Sequence, residues 1–300
     1  MQFPTIQIGQ PVRYNNLSIF PLFAETSSPV DYRLAEEAIA AEDVVVQEVG
    51  EQGSVPELIV ENKGQLRILF LEGEHLVGAK QNRILNASIL VAAKSKIKIP
   101  VSCVEQGRWR YASPTFAAGE GMAAGALRYA LKHSVSKSLR MRSGHVSDQG
   151  AIWQEVSRQQ RALGAFSHTA AMADTYEAHA GKLADYKDKL KYIEGATGIA
   201  VGIGSRALSF DLFDKAETCR KVWETLLSGF VMDALEAQGN QEEVSSGEVE
   251  KLLAESRSAR WQEANAVGEG LEFRTEFADK QGSALTFDGA VVHVNVVAAR

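Results

Sequence analysis

The 300-residue chain predicts an α+β fold: a mixed or antiparallel sheet drawn from both chain ends, with a helical middle segment. Two observations predict it. Runs of β-branched and aromatic residues dominate 16–112 and return after 196, whereas from Gly119 to about 195 alanine, leucine and charged residues recur at helical spacing. No regular alternation of strand and helix accompanies them, which argues against a parallel βαβ architecture. The chain reads as one α+β unit over 1–300: sheet-rich 1–118, helical 119–195, then a hairpin, helices and terminal strands over 196–300.

Asn16–Phe23 (NLSIFPLF) reads as a strand that Pro21 confines to an edge or a bulge. Tyr32–Ala41 reads as a short helix and Val44–Val49 as a strand. Glu57–Glu61 and Leu66–Leu71 flank Asn62-Lys63-Gly64-Gln65, a hairpin signal because Asn and Gly tolerate positive φ. Strands follow at Arg83–Ala92, Ile97–Val104 and Trp109–Ala112. Helices are expected over Gly121–Met141, Asp148–Leu163 and His168–Ile193, with Asp148 and Ser167 as N-caps and Gly164 as a stop. Gly198–Phe213 reads as a hairpin turning near Gly204-Ser205-Arg206, and Lys215–Gln238 as a long amphipathic helix. A polar linker, Gly239–Gly247, leads to a helix through about Ala264; strands at Leu271–Phe277, Ala284–Phe287 and Val291–Val297 close the chain.

A composition of 45% hydrophobic and 23% charged residues supplies material for a large core. The net charge of -6 excludes broad nucleic-acid binding, which needs a basic surface, but leaves room for a local basic pocket. Cys103 and Cys219 are too few for a disulfide framework or a zinc ribbon, so a reducing compartment is expected. With no basic segment leading into an apolar one at the N-terminus and no apolar run of membrane-spanning length, the expected location is cytoplasmic, away from membranes.

The stretch Leu71–Asn86, LEGEHLVGAKQNRILN, concentrates polar groups between apolar runs. If Leu66–Glu74 pairs with Lys80–Val91 around a turn at His75–Ala79, Glu72 and Glu74 share a face, with Glu72 near Arg83 and Glu74 near Gln81. A solvated tip explains such a pair equally well, but the flanking LRILFL and ILNASILVAA read as buried strands carrying a functional segment. Val101–Arg110, VSCVEQGRWR, adds Glu105, Arg108 and Trp109, where a guanidinium beside an aromatic plane can hold a phosphate or stack a base; a strand-end salt bridge is the plainer alternative. Cys103 reads as a small core residue. The short Lys94-Ser95-Lys96 connection returns Ile97–Val104 along Arg83–Ala92 and brings Glu105 and Arg108 beside Glu72 and Lys80.

Lys132–His145, KHSVSKSLRMRSGH, holds Lys132, Lys137, Arg140 and Arg142 and no acid, which suits either an anion site or an exposed helix end. Gly202-Ile203-Gly204-Ser205-Arg206-Ala207 imitates a dinucleotide fingerprint but precedes strand chemistry rather than a helix, and is rejected. His168 and His179 share a predicted helix face without a carboxylate at ligand spacing, so no metal ligands are assigned.

Taken together, LSIFPLF, GEHLVGAKQNRILN, IPVSCVEQGRW, DQGAIWQEV and GIAVGIGSRALSFDLFDKAETCRKVWETLLSGFVMDAL resemble, over nearly the whole chain, the ARG and rhodanese-phosphatase-superfamily-associated protein family. The resemblance implies a context of ADP-ribose or NAD-linked metabolism, through association with ADP-ribosylglycohydrolases and phosphatase-like proteins. It carries no catalytic assignment and no cofactor. Two functional expectations follow. The first is a hydrolase acting on an ADP-ribose-like or other phosphorylated nucleoside compound. Glu72, Glu74 or Glu105 would be its catalytic carboxylate, Lys80 and Arg83 would hold phosphate, Asn82 and Asn86 would orient hydroxyls, Gln81 and Arg108 would also bind ligand, and Trp109 would stack a base. The second is a non-catalytic nucleotide-binding or adaptor module using the same residues. In either case the expected partner is a phosphorylated small molecule, and a homo-oligomer is compatible with the sequence.

Overall fold

A computed structural model describes residues 1, 3–25, 28, 30–239 and 242–299. The N-terminal part contains β1 (Ile6–Ile8), β2 (Val12–Tyr14), β3 (Leu17–Ala24), β4 (Tyr32–Leu34), α1 (Ala35–Ala40), β5 (Val44–Glu48) and β6 (Glu57–Asn62). It continues through β7 (Arg67–Phe70), β8 (Glu74–Gly78), β9 (Arg83–Leu85), β10 (Ile89–Val91), β11 (Ser95–Cys103) and β12 (Phe116–Met122). Helices α2 (Gly125–Arg140), α3 (Gln149–Ala162), α4 (Met172–Ala178) and α5 (Ala180–Lys189) form the middle. The rest comprises β13 (Gly198–Ile203), β14 (Arg206–Phe213), α6 (Ala216–Glu236), α7 (Ser246–Ser258), β15 (Gln262–Ala264), β16 (Leu271–Phe277), β17 (Lys280–Phe287) and β18 (Ala290–Ala298). Among the described residues no helix is long and apolar enough to cross a membrane.

The α+β expectation holds, and the two ends of the chain do join. A nine-stranded sheet runs β1-β3-β13-β14-β18-β17-β16-β15, with β2 also paired to β3. A six-stranded sheet, β12-β8-β9-β11-β6-β5, and a three-stranded one, β10-β7-β4, come from the N-terminal part alone. Strand alternation distributes the large sheet's apolar side chains over two cores. Leu17, Ile19, Ile199, Val201 and Phe213 pack with Trp223, Leu226 and Phe230 of α6, whereas Phe20, Leu22, Phe210, Leu212 and Val294 pack with Val249 and Leu252 of α7. Toward the β16–β18 end the α6-side face becomes polar, and α2 covers it.

Pro21 lies within the large sheet rather than on its edge. It is tolerated because β1 pairs with Leu22–Ala24 and β2 with Leu17–Ile19, so the missing N–H falls in the gap between those two short neighbours. The expected hairpin between Glu57–Glu61 and Leu66–Leu71 does not form. Strand β6 pairs with β5 and β11, while β7 pairs with β4 and β10. Asn62 diverts the chain from one sheet to the other: its side chain donates to Leu66 O and Ala92 O and accepts from Gly64 N, each at 2.9 Å.

The Leu66–Val91 segment is antiparallel as expected, but in a different register. His75 pairs with Ile84 and Phe70 with Ile89, and the turn lies after Gly78 rather than over His75–Ala79. Glu72 is therefore not beside Arg83. Between β7 and β8, Gly73 at φ +85° breaks the strand and sends Glu72 and Glu74 in different directions. Tyr32–Leu34 is a strand rather than the first turn of a helix, and it is the one parallel partner of β7.

The expected helix over His168–Ile193 is two helices, broken at His179, where φ is -113° and ψ 14°. His168 and His179 consequently do not share a helix face. Ser167 does not cap a helix: its hydroxyl accepts from Ala171 N, and α4 starts only at Met172. Asp148 caps α3 as expected, accepting from Ala151 N at 3.1 Å. Helix α7 stops at Ser258, and Gln262–Ala264 is a strand on β16, folded back by the Trp261 indole N–H donating to Ser256 O. Trp109–Ala112 is irregular rather than a strand, and β12 occupies the glycine- and alanine-rich Phe116–Met122. The turn in the Gly198–Phe213 hairpin is where the sequence puts it. In the expected linker, residues 240 and 241 lie outside the described residues.

A Cβ on Gly73 would lie 3.2 Å from Met122 Sδ and 3.3 Å from Arg128 Cγ, in addition to the positive φ. Gly73→Ala is therefore expected to lower unfolding free energy by about 1–3 kcal/mol in urea titration. Gly181→Ala, where an added methyl meets nothing within 4 Å on helix α5, should instead raise it by up to about 1 kcal/mol.

Candidate functional site

The sequence-predicted site residues divide between two places. The first lies where the turn after β8 meets the segment following β11. Antiparallel pairing of β11 with β9 sets Cys103 opposite Arg83, as expected, but β10 leaves to pair with β7, and Glu105 and Arg108 arrive at Asn82 and Ala79 rather than beside Glu72. Glu105 accepts from Arg108 Nε at 2.8 Å, Arg108 Nη2 at 2.7 Å, Asn82 N at 3.1 Å and Thr169 Oγ1 at 2.9 Å. Arg108 in turn donates to Ala79 O and to Asn82 Oδ1. Burial works to raise the Glu105 pKa, but these donors hold it below the ordinary value. An ionised carboxylate with four donors is a clamp that fixes two irregular segments to each other.

Arg83 lies beneath that clamp, fully buried. Its Nη1 donates to Gln81 O at 3.0 Å, and its nearest carboxylate is Glu48 at 3.8 Å. Burial lowers its pKa. The half-exposed Trp109 ring covers its guanidinium at 5.7 Å, and Lys80 Nζ lies between Trp109 and Tyr111 while donating to Glu51 O. Cys103 packs inside, its thiol donating to Gln81 Oε1 at 3.0 Å, and burial pushes its pKa up to about 11. That environment suppresses the thiolate. Glu74 accepts from Leu71 N at 2.9 Å, and burial raises its pKa to about 7.

The second place is the polar face of the large sheet beneath α2. Glu72 is buried there, accepting from Lys132 Nζ at 2.9 Å and from Ser283 Oγ at 2.7 Å, with Arg274 at 3.4 Å. Burial opposes its charge, but Arg274 and Lys132 prevail and lower its pKa to about 2. Lys132 shares this single carboxylate with Arg274 and stands near Arg128, and burial brings it down to about 8. One helical turn away, Arg128 grips Asp211 with both Nη atoms, at 3.0 and 2.6 Å. His293 bridges Asp211 to Ser88 Oγ, which accepts from Glu72 N.

This ionic layer opens at one end onto a cleft of about 960 Å³, lined by Arg140, Arg142, His145, Arg260, Glu263 and Arg274 among others. Arg274 donates to Glu272, and Glu272 Oε2 lies 2.6 Å from His145 Nε2. Burial of Glu272 is outweighed by Arg274 and His145, which hold it below the ordinary carboxylate range. Asn86 is a brace here: its side chain donates to His145 O at 2.8 Å and accepts from Ser102 Oγ at 2.6 Å. Arg140 is paired with Glu276 at 3.2 Å, whereas Arg142 and Arg260 have no side-chain partner among the described residues.

Arg142 also occupies a costly backbone position. Helix α2 ends in a Schellman motif, with Ser143 N donating to Ser138 O and Arg142 N to Leu139 O, and Arg142 takes the left-handed position at φ +58°. At the matching position of α3 the chain uses Gly164. A non-glycine residue in this conformation costs about 1 kcal/mol or more. The basic run at Lys132–His145 was the sequence signal for this site. The alternating charges of Glu272, Arg274 and Glu276 in the strand LEFRTEF were a second signal, which sequence reasoning missed.

Raising the Glu74 pKa to about 7 from an ordinary value of 4.5 makes the folded state bind a proton that the unfolded chain releases. Stability therefore falls as pH rises from about 4.5 and levels off above about 7. Glu74→Gln keeps an acceptor for Leu71 N, and should gain about 1–3 kcal/mol over wild type at pH 8 and almost nothing at pH 4. Paired denaturation curves at the two pH values measure this.

Comparison with curated proteins and with solved structures finds no match to this chain. A family model described as the ARG and Rhodanese-Phosphatase-superfamily-associated Protein domain matches residues 5–297. With nearly the whole chain covered, the protein belongs to the ARG and Rhodanese-Phosphatase-superfamily-associated family.

Proposed function

We propose that the chain binds a phosphorylated small molecule, of the ADP-ribose or phosphorylated-nucleoside class, in the basic cleft between the end of α2 and β15–β16, and acts on it as a hydrolase. The observation that carries this reading is a pair of guanidiniums without a side-chain partner among the described residues, Arg142 and Arg260, supplied to one cleft by separate segments. Four arginines line the cleft against the carboxylates of Glu263 and Glu276, an excess of positive charge in a chain of net charge -6. Planar guanidiniums suit phosphate oxygens because they donate in a fork. The phosphatase-superfamily association in the family's description supports the same ligand class.

Glu72, Glu74, Glu105, Lys80, Gln81, Asn82, Arg83, Asn86 and Arg108 take supporting roles in this reading, because each is buried or has its side chain engaged within the protein. Trp109 is exposed, but it stands over Arg83 and Lys80 rather than in the cleft. A non-catalytic binding module would use the same cleft and differ only in lacking turnover.

Titration calorimetry with ADP-ribose tests the reading. Arg260→Ala and Arg142→Ala should each weaken binding about 10- to 100-fold, the scale of one lost charged hydrogen bond. Arg142→Gly should weaken it equally while making the fold more stable by about 0.5–1 kcal/mol, since glycine relieves the left-handed position. Unchanged affinity in Arg142→Gly and Arg260→Ala would remove the cleft as the ligand site.

A further inference from the structure

We infer that His145, oriented by Glu272, is the general base of this cleft, and that the atom it directs water to is phosphorus, so that the reaction is hydrolysis of a phosphoryl ester or anhydride. The inference rests on the cleft being the ligand site.

The geometry is that of a carboxylate-backed imidazole. His145 Nε2 stands 2.6 Å from Glu272 Oε2. Glu272 is buried and bonded through its other oxygen to Arg274 Nε, so it is fixed and ionised, an acceptor only. In the neutral imidazole the proton therefore belongs on Nε2, which leaves the lone pair on Nδ1. Among the described residues Nδ1 has no hydrogen-bond partner, and His145 lines the cleft. The backbone is held too. Asn86 donates to His145 O, and Ser102, bonded to both Asn86 and Ser147, fixes the far side of the same segment. A base needs this kind of positioning to transfer a proton in the transition state.

The choice of phosphorus over a sugar carbon comes from the lining of the cleft. His145 follows Arg142 by three residues on the segment that ends α2, and both line the cleft together with Arg260. The base therefore shares one cleft with Arg142 and Arg260, the arginines that hold the phosphate. A glycosidic carbon would lie a sugar ring away from them.

In the step itself, His145 Nδ1 takes a proton from water as the water oxygen forms a bond to phosphorus. The bond from phosphorus to the bridging oxygen breaks, and the leaving oxygen takes a proton from solvent. His145 then releases its proton, so that one water has been added across one P–O bond. The arginines stabilise the charge on the non-bridging oxygens during transfer.

The experiment uses the full chain with p-nitrophenyl phosphate and ADP-ribose in ¹⁸O-water, with product analysis by mass spectrometry and inorganic phosphate binding by calorimetry. Wild type should release products with the label on phosphorus. His145→Gln should lower kcat by about 100-fold or more with KM and phosphate affinity within about threefold. Glu272→Gln, a positioning change, should lower kcat with KM unchanged, and His145→Gln carries the test alone if that variant fails to fold. Phosphate binding without turnover of either probe, label on the alcohol or sugar carbon, or His145→Gln with wild-type kcat would each overturn the inference while leaving the cleft reading in place. Absence of phosphate binding in wild type would instead remove the cleft reading on which it rests.

Discussion

The structure depends on a layer of charge that has no access to water. Helix α2 lies on the β16–β18 end of the large sheet through Arg128 and Lys132, and the carboxylates that receive them come from separate parts of the chain: Asp211 from β14 and Glu72 from the break between β7 and β8. Buried charges are tolerated only when they are paired and their remaining hydrogen-bonding capacity is met. Here Ser283, Arg274, His293 and Ser88 meet much of it. The geometry is consequently demanding, since moving any one element leaves a charge without its partner. That requirement fixes the N-terminal sheets to the large sheet more specifically than apolar packing, which tolerates sliding.

The same layer shapes the cleft. Arg274 reaches Glu72 on the interior side and Glu272 at the cleft side, so it transmits the order of the buried network to the residues that face the cavity. Asn86 does the same from the N-terminal sheet, accepting Arg274 Nη2 on its carbonyl and donating through its side chain to His145 O. A rigid polar interior beneath a half-open basic cavity is the arrangement expected where ligand groups must be held in fixed positions. The clamp of Glu105 and Arg108 serves another purpose: it closes two irregular segments over Arg83 and leaves few hydrogen-bonding groups for a guest.

How much of this was legible in the sequence depended on how local the determinant was. Period-2 and period-3.6 patterns revealed β3, β11, α3, α6 and the β13–β14 hairpin, because local burial decides them. The Asn62–Gln65 turn misled: its residues do turn the chain, but nothing local says whether the next strand pairs with the last one or leaves for another sheet. Register failed at Gly73 for a related reason, since one positive-φ residue redirected Glu72 from the neighbourhood of Arg83 to that of Lys132. The pairing of Cys103 with Arg83 was predictable from a short connection, but not that Glu105 would then meet Asn82 instead of Glu72. The meeting of His145 with Glu272 was not predictable either, as 127 residues separate them and they meet only when α2 packs on the closed large sheet.

That closure has a kinetic side. Strand β3, from the first twenty-five residues, pairs with β13 at Leu17–Leu22 and Gly198–Ile203, and β14 in turn pairs with β18 at the far end of the chain. During synthesis β3 must wait for well over a hundred residues before its main partner emerges, holding Leu17, Ile19, Phe20 and Leu22 exposed meanwhile. Loop closure over such spans makes the large sheet slow to form and leaves an apolar edge open to other chains. The six-stranded sheet, whose strands all lie between residues 44 and 122, is complete much earlier. The nascent protein thus passes through a stage in which half its architecture can be in place while the basic cleft does not yet exist, and it is at that stage, rather than in the finished fold, that a chaperone or an aggregating neighbour has most to grip.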